Sequence, residues 1–131
     1  MSSSSIEKER IENAKKLCSE YSFGLPESSK GKALVKALEK KIVIISRNPL
    51  IAVFLGDKED HILIPYSFCS CTDFSLNVIY REKRQNCYHL YSYCLAEKMG
   101  LITEKIINEP TVLFLIIKDI FENGKSKFLR K

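Results

Sequence analysis

The sequence predicts an α+β fold: a small antiparallel sheet flanked by N- and C-terminal helices. Three observations predict it. Apolar residues recur every three or four positions at both ends of the chain. Short β-branched runs separated by turn residues fill the middle. Strands and helices are segregated rather than alternating, which disfavours a parallel βαβ sheet.

The first element is an amphipathic helix over "SSSSIEKERIENAKKLCSEY". Ser4 and Glu7 fit a capping box. Ile11, Ala14, Cys18 and Tyr21 make one stripe, with Lys8, Arg10, Lys15 and Lys16 off it. Gly24 and Pro26 mark the following loop. A second helix fits "KALVKALEKK", with Ala33, Leu34, Ala37 and Leu38 turned inward. "KIVIIS" reads as a buried strand and "RNP" as a turn. "LIAVFLG" and "HILIPYSF" are strands joined across the polar loop "DKED", and "DFSLNVIY" is one more strand. "CYHLYSYCLAEKMG" has helical spacing, with Leu90, Cys94 and Leu95 facing inward and Gly100 as C-terminal cap. "LITEKIINE" is a linker. "PTVLFLIIKDIFENGK" is read as a helix, because Pro110 suits its first turn and Gly124 its end.

The 131 residues suit one domain, 1–131. Residues 1–28 form its N-terminal helix and loop, 41–100 its core, and 101–131 a C-terminal helix and basic tail. No apolar run is long enough to span a bilayer, and the N-terminus lacks the apolar core of a signal peptide. A cytoplasmic location is therefore expected, with reduced thiols. The odd cysteine count of five also argues against a disulfide framework. Abundant Lys, Glu and Ile with a single Gln lean toward a thermophile. The net charge of +5 is compatible with nucleic acid as a partner without requiring it.

The informative stretch is "CSCTDFSLNVIYREKRQNCYHL". It holds Cys69, Cys71, Cys87 and His89, spaced C-x-C-x15-C-x-H. Zinc takes four such ligands tetrahedrally, with thiolates about 3.8 Å apart. Residues i and i+2 of a flat strand lie too far apart to chelate, about 6.5–7 Å between Cα atoms. Cys69 and Cys71 must therefore sit at a strand-end bend, with Ser70 at its tip. On a helix, i and i+2 point about 200° apart. Cys87 must then precede the helix and His89 lie in its first turn, where the helix dipole favours a net negative thiolate cluster.

The competing readings are buried apolar cysteines, or a thiol enzyme with Cys87 as nucleophile and His89 as base. The enzyme reading leaves Cys69 and Cys71 without a role, and four protein ligands close the shell that a catalytic zinc needs open. No enzyme is expected, and no small-molecule substrate. Cys18 and Cys94 lie on apolar helical stripes and read as buried core cysteines. His61 follows "DKED" and reads as solvated.

The C-x-C…C-x-H pattern, between hairpin strands and a helix, resembles the SWIM zinc finger, a ββα module. The resemblance covers "KIVIIS" to "AEKMG". Within that family the small size and flanking helices resemble the SWIM subunit of Shu-type recombination complexes, whose longer pattern is C-x-C…C-x-H-x-x-A. Ser92 stands where that pattern has alanine. The resemblance implies one structural zinc ion on Cys69, Cys71, Cys87 and His89, and an accessory role in homologous recombination or repair beside a RecA-family recombinase paralogue. The alternative is direct binding of single- or double-stranded DNA, or RNA, by Arg81, Lys83 and Arg84 and by the tail residues Lys125, Lys127, Arg130 and Lys131. Tyr80, Tyr88, Tyr91 and Tyr93 would be available to stack on bases.

Overall fold

Five strands in the order β4-β3-β2-β1-β5 form the sheet on which the molecule is built, in a computed structural model that describes residues 3–71 and 87–130. β1 (Ile42–Arg47), β2 (Leu50–Leu55), β3 (Asp60–Ile64) and β4 (Phe68–Cys69) form antiparallel neighbours. β5 (Thr103–Glu104) adds to β1 in parallel, so the sheet is mixed. The linker reading of "LITEKIINE" misses this two-residue strand, which is too short to show alternation.

Two hairpins set the register. Ile42 pairs with Phe54 and Ile44 with Ala52, and a bulge follows before Arg47 meets Leu50 across a cis Asn48–Pro49 bond. The second turns at 56–59, where the Gly56 amide donates to the Glu59 carbonyl at 2.9 Å. A Cβ on Gly56 would run into that carbonyl oxygen, so the turn requires glycine. "HILIPYSF" is not one strand. It breaks after Ile64 into a turn, because Pro65 has no amide to give the ladder and Tyr66 adopts a φ of 65°. The chain then returns as β4, pairing Cys69 with Leu63.

Both faces of the sheet are buried, as the unbroken apolar runs of β1 and β2 require. Ile42, Ile44, Ala52, Phe54 and Leu63 point to one face. It is covered by α1 (Ser3–Leu17), the short α2 (Ser19–Ser22), α3 (Glu27–Leu38) and α4 (Tyr88–Met99). Val43, Ile45, Ile51, Val53 and Ile62 point to the other, where Ile116 and Ile120 of α5 (Pro110–Asn123) pack on them.

The helices follow their predicted stripes with one exception. Ala14 and Cys18 are buried, as are Ala33 and Ala37. Leu38 is exposed, and the aliphatic stem of Lys36 is buried in its place, with its ammonium on Asp57 at 2.6 Å. α3 also begins earlier than expected, directly after Pro26. Gly100 and Gly124 end α4 and α5 in the left-handed conformation, and Pro110 opens α5 beneath a Glu109 cap.

Cys18 and Cys94 are buried as expected, but they are not free thiols. They form a disulfide between the end of α1 and the middle of α4, with Cα atoms 5.9 Å apart. This corrects the expectation of reduced core cysteines. Each stripe is legible alone, but the docking that joins two cysteines 76 residues apart is not. The expected strand "DFSLNVIY" lies outside the described residues.

Candidate metal centre

The fold brings Cys69, Cys71, Cys87 and His89 together. All four are buried, and one ligand atom from each lies within 4.8 Å of all the others. Cys69 ends β4. The next residue, Ser70, satisfies both hydrogen-bonding groups of Ile62: its amide donates to the Ile62 carbonyl at 3.0 Å, and its Oγ accepts from the Ile62 amide at 2.8 Å. This side-chain bond takes the place of a backbone ladder bond, and the chain bends there. Cys71 follows in the bend, so two cysteines at i and i+2 converge as a flat strand would forbid.

Cys87 occupies the N-cap position of α4 with an extended backbone (φ −99°, ψ 169°). Its carbonyl accepts from the Tyr91 amide, and His89 sits in the first turn. The His89 Nδ1 lies 3.6 Å from the Cys69 Sγ and 3.7 Å from the Cys87 Sγ. For bond lengths of about 2.3 Å to sulfur and 2.0–2.1 Å to nitrogen, a tetrahedral ion needs about 3.6 Å between those atoms. The donor set and its spacing therefore fit a metal ion held by three thiolates and one imidazole.

Rings fix the imidazole. Phe54 meets it edge-on with centroids 4.5 Å apart, Tyr88 lies at 4.0 Å, and His61 at 4.5 Å. His61 is thus neither in a loop nor simply solvated. It belongs to β3 opposite Phe54, and burial, then the nearby His89, lowers its pKa. Strand alternation places it on the Leu63 face, a signal that the sequence carries once β3 is known to begin at Asp60.

The electrostatics of the thiols match a site that needs a cation. Burial raises the pKa of Cys69. Cys71 is lowered, because it accepts hydrogen bonds from Cys69 and Cys87. The Cys87 thiol is pushed up to about 12: its bond with Cys69 lowers it, but its bond with Cys71 and its burial outweigh that. The Tyr88 hydroxyl is likewise raised to about 12, by burial and then by the Cys71 charge. Burial and mutual repulsion oppose ionising all three sulfurs without a cation. A bound divalent ion would ionise all three.

The tail residues proposed for nucleic acid behave differently from one another. Lys125 and Lys127 are exposed. Arg130 is engaged within the chain. Its Nε donates to both Asp60 carboxylate oxygens at 3.0 and 3.1 Å, and its Nη2 donates to the Gly56 carbonyl at 2.7 Å. The Asp60 side chain is fully buried and also accepts from the Ser126 amide at 2.8 Å. This clasp went unseen because the two residues are 70 positions apart. Arg81, Lys83, Arg84, Lys131 and Tyr80 lie outside the described residues. Among the tyrosines proposed to stack on bases, Tyr91 and Tyr93 are buried and Tyr88 is partly buried.

Among the described residues, no helix is long and apolar enough to cross a membrane. No family model, no curated protein and no solved structure matches the chain.

Proposed function

We propose that Cys69, Cys71, Cys87 and His89 hold one structural zinc ion, and that the chain is a SWIM-type accessory protein in recombination or repair that docks a RecA-family recombinase paralogue. The observation that carries the reading is the buried convergence of four soft or borderline donors from a strand end and a helix start. Thiolate-rich tetrahedral sets select zinc over hard cations, and four protein ligands leave no position for a substrate. The ion therefore holds structure rather than performing chemistry, and no enzymatic role is assigned. Ile6 and Leu17 on α1 and Phe23 at the end of α2 expose apolar surface, available to a partner. A cytoplasmic setting in a thermophile accommodates the Cys18–Cys94 disulfide, since intracellular proteins of hyperthermophiles carry such bonds.

Direct nucleic-acid binding is the weaker reading, because Arg130 already serves Asp60. Metal analysis of the purified protein tests the site, with one equivalent of zinc expected and its absence overturning it. Gel filtration with recombinase paralogues, before and after chelation, tests the role. Co-elution lost on chelation is expected, and no co-elution with any paralogue overturns the accessory reading while leaving the zinc site intact.

A further inference from the structure

The three sulfurs of the candidate metal centre are not equally reached. Cys69 and Cys87 are wholly buried, while Cys71 keeps 4% of its surface. Cys71 lines a cleft of about 250 Å³ whose polar walls are Glu59, Asp60, His61 and Ser70. Neither Cys69 nor Cys87 lines it. A small polar reagent entering the cleft therefore meets the cluster at Cys71. The backbones that carry the sulfurs differ as well. Cys69 is held in the β4 ladder opposite Leu63. Cys71 lies past that strand in the bend, and Cys87 precedes α4 with an extended backbone. The Cys71 and Cys87 sulfurs are within hydrogen-bonding reach of each other. Closing that gap to the about 2.05 Å of a disulfide moves two residues that no strand pairing holds.

We propose that the centre is a redox switch: hydrogen peroxide entering the cleft oxidises Cys71, and Cys87 resolves it to a Cys71–Cys87 disulfide that releases the metal. The inference rests on the zinc reading of the centre. In the first step the Cys71 thiolate attacks one oxygen of the peroxide. An S–O bond forms, the O–O bond breaks, and hydroxide leaves. In the second step the Cys87 thiolate attacks the resulting sulfenic sulfur. The S–S bond forms, the S–O bond breaks, and a second hydroxide leaves. Two thiolates together give up two electrons, and one peroxide becomes two hydroxide ions. Cys69 and His89 then remain, two donors where a closed tetrahedral site needs four, so the ion is no longer held. The Cys18–Cys94 pair takes no part, because it is already oxidised and neither sulfur lines the cleft.

Metal analysis of the purified full chain comes first. A chain that carries no zinc overturns the zinc reading, and this inference with it, before any oxidant is added. On the zinc-loaded chain, limiting iodoacetamide should alkylate Cys71 before Cys69 and Cys87, as mapped by peptide mass spectrometry. Hydrogen peroxide should release one equivalent of zinc to a chromophoric chelator while one new disulfide, Cys71–Cys87, appears. Dimedone added with the peroxide should trap a sulfenic acid on Cys71. A phosphine reductant followed by zinc should restore the original metal content. Zinc retained under peroxide that fully oxidises a small free thiol overturns the inference and leaves the zinc reading intact. So does equal alkylation of the three cysteines, a new disulfide that includes Cys69, or a loss of zinc that the reductant does not reverse.

Discussion

The two faces of the sheet are sealed by different means. The face carrying Ile42, Ile44, Phe54 and Leu63 is covered by helices, is cross-linked by the Cys18–Cys94 disulfide, and holds the thiol–imidazole cluster that could bind a metal. The face carrying Val43, Ile45, Val53 and Ile62 packs on α5, with Ile107 and Leu129 beside it, and is fastened by the buried Asp60–Arg130 pair. The first face depends on redox state through its disulfide and, on the proposed reading, on metal supply as well. The second depends only on packing and charge. A protein built this way can lose its metal centre and still keep β1, β2 and α5 together.

Chelation should give the largest effect. Structural zinc in finger peptides contributes about 10–16 kcal/mol of apparent binding free energy, an upper bound here because the rest of the core persists. Hydrogen exchange after chelation, or in Cys69→Ser, should show protection lost at β4 and the first turn of α4 but kept in α5 and β1. Equal loss on both faces would mean that they form a single cooperative unit, and the contrast drawn above would fail. The sign of the pH dependence follows from the thiols. Cys69 and Cys87 are raised, so they are protonated near neutrality without metal and must release protons on binding. Metal affinity should therefore rise with pH, read by competition with a chromophoric chelator between pH 6 and about 8.

Next in size is the disulfide. Closing a loop between residues 76 apart stabilises the folded state by about 4 kcal/mol on the chain-entropy account. The Cys18→Ser/Cys94→Ser double variant should lose that much in urea unfolding without losing metal. Loss of metal as well would show that the staple positions α4 for its two ligands.

The second face gives the third test. Arg130→Met leaves the Asp60 carboxylate buried without its cation. It should cost about 3 kcal/mol, at the low end for such pairs because the guanidinium is partly exposed. Asp60→Asn should cost less, since Arg130 can then turn to water. The reverse order would mean that the tail, rather than the buried carboxylate, sets the energy of the clasp.

What the sequence revealed follows the same division. The clustering of the four candidate metal ligands was legible because coordination is a local demand: two ligands per pair, each pair at a junction, with the required bend and helix start readable from Ser70 and from the polar residues before Cys87. α5 was legible from Pro110 and Gly124. The long-range partnerships were not. Cys18 with Cys94, Asp60 with Arg130, and β5 beside β1 each depend on how distant elements dock, and no periodicity encodes that. His61 falls between the two cases, since its face follows from alternation once the hairpin boundary is known.

The smallest effect bears on Ser92, which stands where the SWIM-like pattern has alanine. In the sequence it counts only as a small residue. In the structure its side chain is fully buried where α4 crosses α3, and its Oγ donates to the Ala33 carbonyl at 2.7 Å. Ala33 has no side chain beyond Cβ, so the two helices approach closely enough for the hydroxyl to reach a helical carbonyl. Ser92→Ala keeps the volume and removes the donor. The carbonyl retains its place in α3, so the loss should be about 1 kcal/mol, within the range for a single neutral hydrogen bond. Ser92→Val should cost more, because the close approach of α3 leaves no room for added methyl groups. If alanine proves neutral while valine destabilises, the site selects size alone, and serine is equivalent to the alanine of the pattern. If alanine costs what the bond predicts, Ser92 is a second fastening on the already cross-linked face, tying to α3 the same helix that carries His89 and is capped by Cys87.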